Sequence, residues 1–123
     1  MKLLDNLTLL NGAKQKKSAG GKTPEGKVKA QIRDLLDKYG AYTVMPATWG
    51  FGASGVPDFL VCFQGKFIGI EAKSNKTTHP LTKIQQRNLQ NIARAGGIAL
   101  VVDEDSITDL NNLLDKLRYD SIK

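Results

Sequence analysis

Apolar residues along the chain recur first at helical spacing and then with the two-residue period of strands. The pattern predicts a first helix that begins after Thr23, a suitable N-cap followed by Pro24, and ends at Gly40. Its apolar positions, spaced three and four residues apart, are Val28, Ile32, Leu35, Leu36 and Tyr39. Ala41–Met45 is predicted as a short strand, and Pro46–Gly55, which contains three internal or terminal glycines, as a loop.

The segment Pro57–Ser74 is typical of a β-hairpin, because apolar and polar residues alternate on either side of a glycine. Gly65-Lys66 is predicted to form a two-residue turn of type II′, with glycine at its first central position. In the register that this turn sets, the predicted facing pairs are Asp58 with Lys73, Phe59 with Ala72, Leu60 with Glu71, and Val61 with Ile70.

Alternation along the hairpin separates two faces with different chemistry, since facing residues of paired strands share a face. One face is apolar and is predicted to be core; it carries Phe59, Val61, Phe63, Ile68 and Ile70. The other face brings three ionisable side chains to one end of the hairpin: Asp58, Glu71 and Lys73. Cys62 also belongs to this second face, and it is expected to be a small residue that fills space on the core side rather than a reactive thiol.

The remaining sequence predicts a helix, a strand and a last helix. Thr82 and Gln85 form a capping-box pattern at the start of the second helix, which is expected to end at Gly96-Gly97. Ile98–Val102 is a continuous apolar run, typical of a strand in a buried parallel position. The acidic residues of 103–105 then lead into a helix, whose positive end they complement. The apolar face of that last helix carries Ile107, Leu110, Leu113, Leu114 and Leu117.

These elements predict a small α/β domain of order α-β-β-β-α-β-α, with a central mixed sheet of about four strands flanked by helices. The chain has 123 residues, enough for one domain with one core. Residues 1–22 are expected to form a basic, flexible arm, and residues 23–123 the domain itself. No apolar run approaches the length of a membrane span, and the single cysteine favours a reducing cytoplasm.

Charge is unevenly distributed along the chain. There are 18 Lys and Arg residues against 12 Asp and Glu residues, for a net charge of +6. Six of the acidic residues and only three of the basic ones lie within 103–123, so residues 1–102 are distinctly basic. A basic body suggests a polyanionic partner, through release of counterions from phosphates. A solvated surface without such a partner is the alternative interpretation.

Asp58, Glu71 and Lys73 point to metal-dependent chemistry. Carboxylates in the middle of a sheet are costly unless they are paired or bind a metal ion. Hard oxygen ligands in a basic surround suit Mg²⁺ or Mn²⁺ held between protein and phosphate. The alternative is a cross-strand ion pair between Asp58 and Lys73 on a solvent-facing sheet.

Glu25 continues the apolar stripe of the first helix and could reach the same metal, or could simply favour the helix start. Gln85 could point its amide at the site, or act only in the capping box.

The residues resemble a known family of nucleases. Gly55–Asp58 (Gly-Val-Pro-Asp), then twelve residues, then Glu71-Ala72-Lys73 is similar to the PD-(D/E)XK signature. Downstream, Leu81-Thr82 with Gln85, and Ala95-Gly96-Gly97 before a valine-rich strand, resemble the VRR-Nuc branch of that superfamily. Archaeal Holliday-junction resolvases share this motif order, and Ser54-Gly55 before the motif is similar to them. The resemblance covers about residues 24–102 and implies a restriction-endonuclease-like core.

The resemblance implies a divalent-metal-dependent DNA endonuclease. Asp58, Glu71 and the backbone carbonyl of Ala72 would ligate Mg²⁺ or Mn²⁺, with Glu25 as a further ligand. Lys73 would orient the attacking water or stabilise the transition state, and Gln85 would support Lys73 or the water. Hydrolysis would leave a 5′-phosphate and a 3′-hydroxyl. The expected enzyme is a homodimer that cuts branched DNA, four-way junctions first.

Several other residues are candidate DNA contacts, each with an alternative role as an ordinary surface or loop residue. They are Lys22, Trp49, Ser54, Lys76, His79 and Lys83. The rival functions are a flap, single-strand or nicking nuclease with the same site, and a DNA-binding module without activity. For the dimer, the candidate interfaces are Met1–Leu10 and the leucine face of the last helix, which could equally cover the core.

Overall fold

The computed structural model describes residues 23–47 and 55–122. Within them the element order α-β-β-β-α-β-α confirms the predicted α/β fold. The elements are α1 (Pro24–Lys38), β1 (Tyr42–Val44), β2 (Phe59–Phe63), β3 (Lys66–Ala72), α2 (Lys83–Arg94), β4 (Ile98–Val102) and α3 (Ile107–Ser121). The predictions for the arm 1–22 with its Lys22, and for Trp49 and Ser54, lie outside the described residues.

The four strands form one mixed sheet in the order β1-β2-β3-β4. β1, β2 and β3 are antiparallel neighbours, whereas β4 runs parallel to β3. The core lies on the face covered by α1 and α3, where Ile32, Phe59, Ile70 and Leu114 are fully buried. α2 lies on the opposite face, since a Cβ placed on Gly69 would meet the Ile92 side chain at 2.5 Å.

The helix ends confirm the capping predicted from the sequence. Thr23 accepts a hydrogen bond from the Gly26 N–H through its hydroxyl at 3.0 Å, with proline at the first helical position. At α2 the capping box is complete: the Gln85 N–H donates to the Thr82 hydroxyl, and the Thr82 N–H donates to the Gln85 side chain. Local sequence therefore sets where these two helices begin.

The hairpin turn differs from the prediction by one residue. Its central residues are Gln64 and Gly65, with φ of 50° and 76°, and Phe63 pairs with Lys66. Two positive φ values define a type I′ turn, whose twist matches that of the flanking strands. The predicted Gly65-Lys66 turn of type II′ is therefore wrong.

The turn shifts the register by two residues and corrects the predicted pairs. Phe59 lies opposite Ile70, Leu60 opposite Gly69, and Val61 opposite Ile68. Because the shift is even, each side chain keeps its predicted face, and the apolar face is core as expected. The shift also changes which ionisable residues face each other. Continued by one position beyond the Phe59–Ile70 pair, the observed register sets Asp58 level with Glu71 rather than with Lys73.

Two burial predictions are also corrected. β4 is parallel, as predicted, but it is the last strand of the sheet, and Val101 is 44% exposed. Cys62 is exposed rather than on the core side, because α2 covers β3 and β4 but leaves part of that face open. Tyr42, Cys62 and Phe67 lie side by side there, and Tyr42 and Phe67 are 72% and 48% exposed.

The leucine face of α3 covers the core. Leu110 and Leu114 are buried, and Leu117 packs against the same cluster. Of the two candidate dimer interfaces, this one is therefore used within the chain, and Met1–Leu10 lies outside the described residues. In the part of the chain that the structure describes, no helix has the length and apolarity needed to cross a membrane.

Candidate active site

Asp58 is held at the entrance to β2 by the loop before it. Gly55 has a φ of +77°, and a Cβ there would lie 2.9 Å from the backbone carbonyl carbon of Ile84 in α2. Only glycine fits both the left-handed backbone and this close approach. Pro57 is fully buried. The Gly55–Pro57 segment is therefore held in place, and it fixes the position of the Asp58 backbone directly before β2.

The Asp58 carboxylate continues the hydrogen bonding of the hairpin beyond its last strand pair. Its Oδ2 accepts a hydrogen bond from the Ala72 N–H at 2.9 Å. The side chain thus takes the place of a backbone acceptor at the end of the ladder. The other oxygen, Oδ1, lies 3.4 Å from the Lys29 Nζ.

Glu71 follows the fully buried Ile70 in β3 and is itself only 3% exposed. Its Oε2 atom is buried and has no hydrogen-bond partner. Burial, followed by hydrogen bonding to Asp58 and repulsion from the Asp58 charge, raises the pKa of Glu71 to about 8, against the lowering effect of Lys73. Burial and the neighbouring Asp58 carboxylate therefore outweigh the effect of the Lys73 charge on this carboxyl group.

Lys73 and the Ala72 carbonyl complete this end of β3. The Lys73 N–H donates to the Val102 carbonyl at 3.0 Å, which ties the lysine backbone to β4. The Lys73 side chain is half-buried, close enough to Glu71 for its charge to affect that carboxylate. In a strand the N–H and C=O of one residue point to the same side. The Ala72 carbonyl therefore points toward β2 and Asp58, as its N–H does.

Lys29 of α1 contacts the Asp58 carboxylate, and no sequence pattern predicts this contact. Its Nζ lies 3.4 Å from Asp58 Oδ1 and 3.7 Å from Glu25 Oε2, one helical turn before it. Glu25 also contributes to the raised pKa of Glu71. Glu25 is thus near the two strand carboxylates, but its ion pair is with Lys29.

The residues after Lys73 are fixed by the loop that follows β4. The Ser74 hydroxyl, which is buried, donates to Glu104 Oε2 at 2.5 Å, and the Asn75 N–H donates to Glu104 Oε1 at 2.8 Å. These hydrogen bonds, the Ser74 hydroxyl first, lower the pKa of Glu104. Sequence reasoning took residues 103–105 only as a helix lead-in and missed this contact, which joins segments about thirty residues apart.

The remaining predicted site residues lie between the end of β3 and the first turn of α2. The Gln85 side-chain oxygen accepts the Thr82 N–H at 3.0 Å, so its described role is the capping box, and support of Lys73 stays a prediction. Lys76 and His79 are exposed in the loop between β3 and α2, and Lys83 is exposed at the first position of α2. His79 and its neighbours Thr77, Thr78 and Pro80 line an open surface depression.

The donor set fits a divalent ion held partly by the backbone. Within residues 23–47 and 55–122, no group of three or more His, Cys, Asp or Glu side chains is arranged to hold a metal by itself. Asp58 and Glu71 nevertheless present two oxygens, one of them the orphaned buried Glu71 Oε2. Mg²⁺ is commonly bound by one or two carboxylates, with water and phosphate completing its shell. The residues present therefore suit a Mg²⁺ or Mn²⁺ ion.

Comparison of the chain with models of known protein families gives no match. Comparisons with curated proteins and with solved structures give no match either. The function is therefore inferred from the residues of the site.

Proposed function

We propose that the protein is a divalent-metal-dependent DNA endonuclease that hydrolyses phosphodiester bonds in structured DNA. The observation that carries this proposal is the buried, unpartnered Glu71 Oε2 beside Asp58, with Lys73 directly after the end of β3. An ion pair on a solvent-facing sheet explains these residues less well. Glu71 is buried, and it is level with another carboxylate rather than with a lysine.

Four groups of the chain would hold the ion. Asp58 Oδ1 and Glu71 Oε2 would contribute charge, the Ala72 carbonyl a neutral oxygen, and Glu25 a third carboxylate directly or through water. When bound, such an ion lowers the pKa of a coordinated water and polarises the phosphodiester. The Ala72 N–H fixes the Asp58 carboxylate, so that little reorganisation is needed before substrate binds.

Lys73 would supply the positive charge that the proposed reaction needs. Its ammonium would orient the attacking water and offset the negative charge that develops on the phosphoryl oxygens. The Lys73 backbone is bonded to β4, and Glu104 holds Ser74 and Asn75 directly after it. Both attachments support a fixed position for this lysine relative to the carboxylates.

DNA would approach along the exposed basic residues that border the site. Lys76, three residues after Lys73, and Lys83, at the start of α2, are both exposed, and contacts from such residues to phosphates position a duplex without reading its sequence. The net charge of +6 favours association with DNA. We propose a homodimer with one site per chain, because symmetric cutting of two strands of a junction needs two sites.

Cleavage of labelled four-way junction, flap, duplex and single-stranded DNA tests this function. Each substrate is incubated with the protein in Mg²⁺, in Mn²⁺ and in EDTA. Asp58→Asn removes a ligand charge, and Asp120→Asn makes the same change at an exposed position of α3. We expect metal-dependent cleavage by the wild type and by Asp120→Asn, and none by Asp58→Asn.

The products separate the proposed enzyme from its rivals. Symmetric paired cuts in the junction, with a dimer on size-exclusion chromatography, would support a resolvase. Preferred cutting of flaps, single strands or one strand of a duplex would support the other nuclease classes. DNA binding without cleavage of any substrate would contradict the nuclease proposal and favour a binding module.

A further inference from the structure

Lys29 places a cation at the oxygen that the proposed metal site needs. Of the two Asp58 oxygens, Oδ2 is engaged by the Ala72 N–H. Oδ1 is the oxygen that would bind a metal, and Lys29 Nζ lies 3.4 Å from it. The same ammonium lies 3.7 Å from Glu25 Oε2, another proposed ligand.

We infer that Lys29 is an exchangeable internal cation: its ammonium holds Glu25 and Asp58 together when no divalent ion is bound, and leaves Asp58 when an ion binds. This inference rests on the proposed function. The exchange lowers the affinity for the ion and keeps the carboxylates arranged for it.

Charge and distance make exchange more favourable than shared occupancy. A Mg²⁺ ion lies about 2.0–2.1 Å from its oxygen ligands. An ammonium in contact with the same oxygen would then lie within a few ångströms of a doubly charged ion, where repulsion is strong because the site is partly shielded from water. Close contact of Asp58 Oδ1 with the ammonium and with the divalent ion at the same time is therefore unfavourable.

The Lys29 side chain is able to leave. It is 34% exposed, so its flexible four-carbon stem has solvent beside it. Glu25, whose side chain is 32% exposed on the same helix, provides a partner after Lys29 separates from Asp58. The exchange thus needs a rotation of one side chain and no movement of the backbone.

Direct binding of Mn²⁺ to the full chain, measured by calorimetry or by loss of the free-ion resonance signal, tests the inference without any cleavage assay. Lys29→Met removes the competing charge and is expected to bind Mn²⁺ about fivefold more tightly, the factor given by about 1 kcal/mol of removed competition. Lys29→Arg keeps the charge and should bind close to the wild type.

Lys27→Met is the matched control. Lys27 is exposed on the same helix, two residues away, and its removal lowers the net charge equally. If the effect is local, Lys27→Met should change the Mn²⁺ affinity far less than Lys29→Met.

Thermal unfolding gives a second, independent readout. In EDTA, Lys29→Met should melt about 2–5 °C lower than Lys27→Met, because Asp58 and Glu25 lose their shared cation. Added Mn²⁺ should raise the melting temperature of Lys29→Met by more than that of the wild type.

The failures of the two proposals are distinguishable. Equal or weaker Mn²⁺ binding by Lys29→Met, with wild-type binding abolished by Asp58→Asn, would overturn the exchange and leave the nuclease site standing. Absence of Asp58-dependent Mn²⁺ binding in the wild type would overturn both.

Discussion

The Ala72 N–H donates a 2.9 Å hydrogen bond to Asp58 Oδ2, so this side chain ends the β2–β3 ladder while its other oxygen, Oδ1, stays available to the proposed metal site. Structural and chemical roles of Asp58 can therefore be separated by two substitutions. Asn keeps an oxygen acceptor and removes the charge, whereas Ala removes both.

We expect Asp58→Asn to abolish cleavage while keeping most of the free energy of unfolding. Asp58→Ala should also abolish cleavage but cost about 1–3 kcal/mol more, because the Ala72 N–H loses its acceptor. Urea unfolding of both variants measures the difference. Equal stability of the two would mean that water replaces the carboxylate at no cost.

The buried Glu71 predicts an unusual dependence of stability on pH when no metal is bound. Its pKa is about 8 in the folded chain, against about 4.3 in the unfolded chain. The folded state therefore binds more protons between these values, and stability falls as pH rises. The contribution is fully present below the unfolded pKa and is lost as pH passes the folded pKa. The limiting slope is about 1.4 kcal/mol per pH unit.

Urea unfolding in EDTA from pH 5 to pH 9 measures this slope. Glu71→Gln, which is neutral and of similar shape, should flatten it and should be more stable than the wild type at pH 9. Glu104 has a lowered pKa and thus acts only at more acidic pH. A wild-type profile that is already flat over this range would contradict the prediction.

Gly55 is expected to tolerate no side chain. Gly55→Ala is expected to lower the free energy of unfolding for two reasons. A left-handed backbone costs about 1–2 kcal/mol in a residue with a side chain, and the contact of the new Cβ with the helical backbone of Ile84 costs about 1–3 kcal/mol. Gly40→Ala is the matched control, since Gly40 has a φ of +70° but open space around it. The difference between the two variants in urea unfolding gives the cost of the contact, and equal losses would refute it.

Glu104 is expected to act on cleavage by holding the segment after Lys73. Glu104→Ala releases Ser74 and the Asn75 N–H, and we expect about tenfold slower cleavage through a less fixed Lys73. Asp105→Ala removes the same charge from the same loop. The Asp105 carboxylate accepts a hydrogen bond from the exposed Asn75 side-chain amide, not from the Asn75 backbone. Single-turnover rates compare the two. Similar rates for both variants would show that only the loop charge matters.

The sequence predicted those features that depend on local periodicity. Alternation identified the core face of the hairpin, and it predicted that Asp58, Glu71 and Lys73 lie together at one end of the hairpin, where the observed register sets Asp58 level with Glu71. The caps at Thr23 and Thr82 were predicted because their hydrogen bonds span three residues. Strand order along the chain followed from the same patterns.

Features that depend on distant segments were not predicted. A two-residue change of register leaves the alternation intact, so the pattern could not choose between the two glycine-containing turns. Lys29 and Glu104 each contact the site from another element, and nothing in their neighbouring residues indicates this.

The parallel pairing of β3 with β4 gives the two parts of the site different folding histories. Asp58 and Glu71 are brought level by a hairpin with a two-residue turn, and such hairpins form in about 1–10 μs. Lys73 is fixed only when Val102 arrives, after α2 has bridged the intervening chain. The two carboxylates therefore need only residues 58–71 to lie level, whereas the fixed position of Lys73 also needs β4, about thirty residues later in the chain. If the proposed function holds, a growing chain would form its metal-binding carboxylate pair before it fixes the lysine that the proposed cleavage needs.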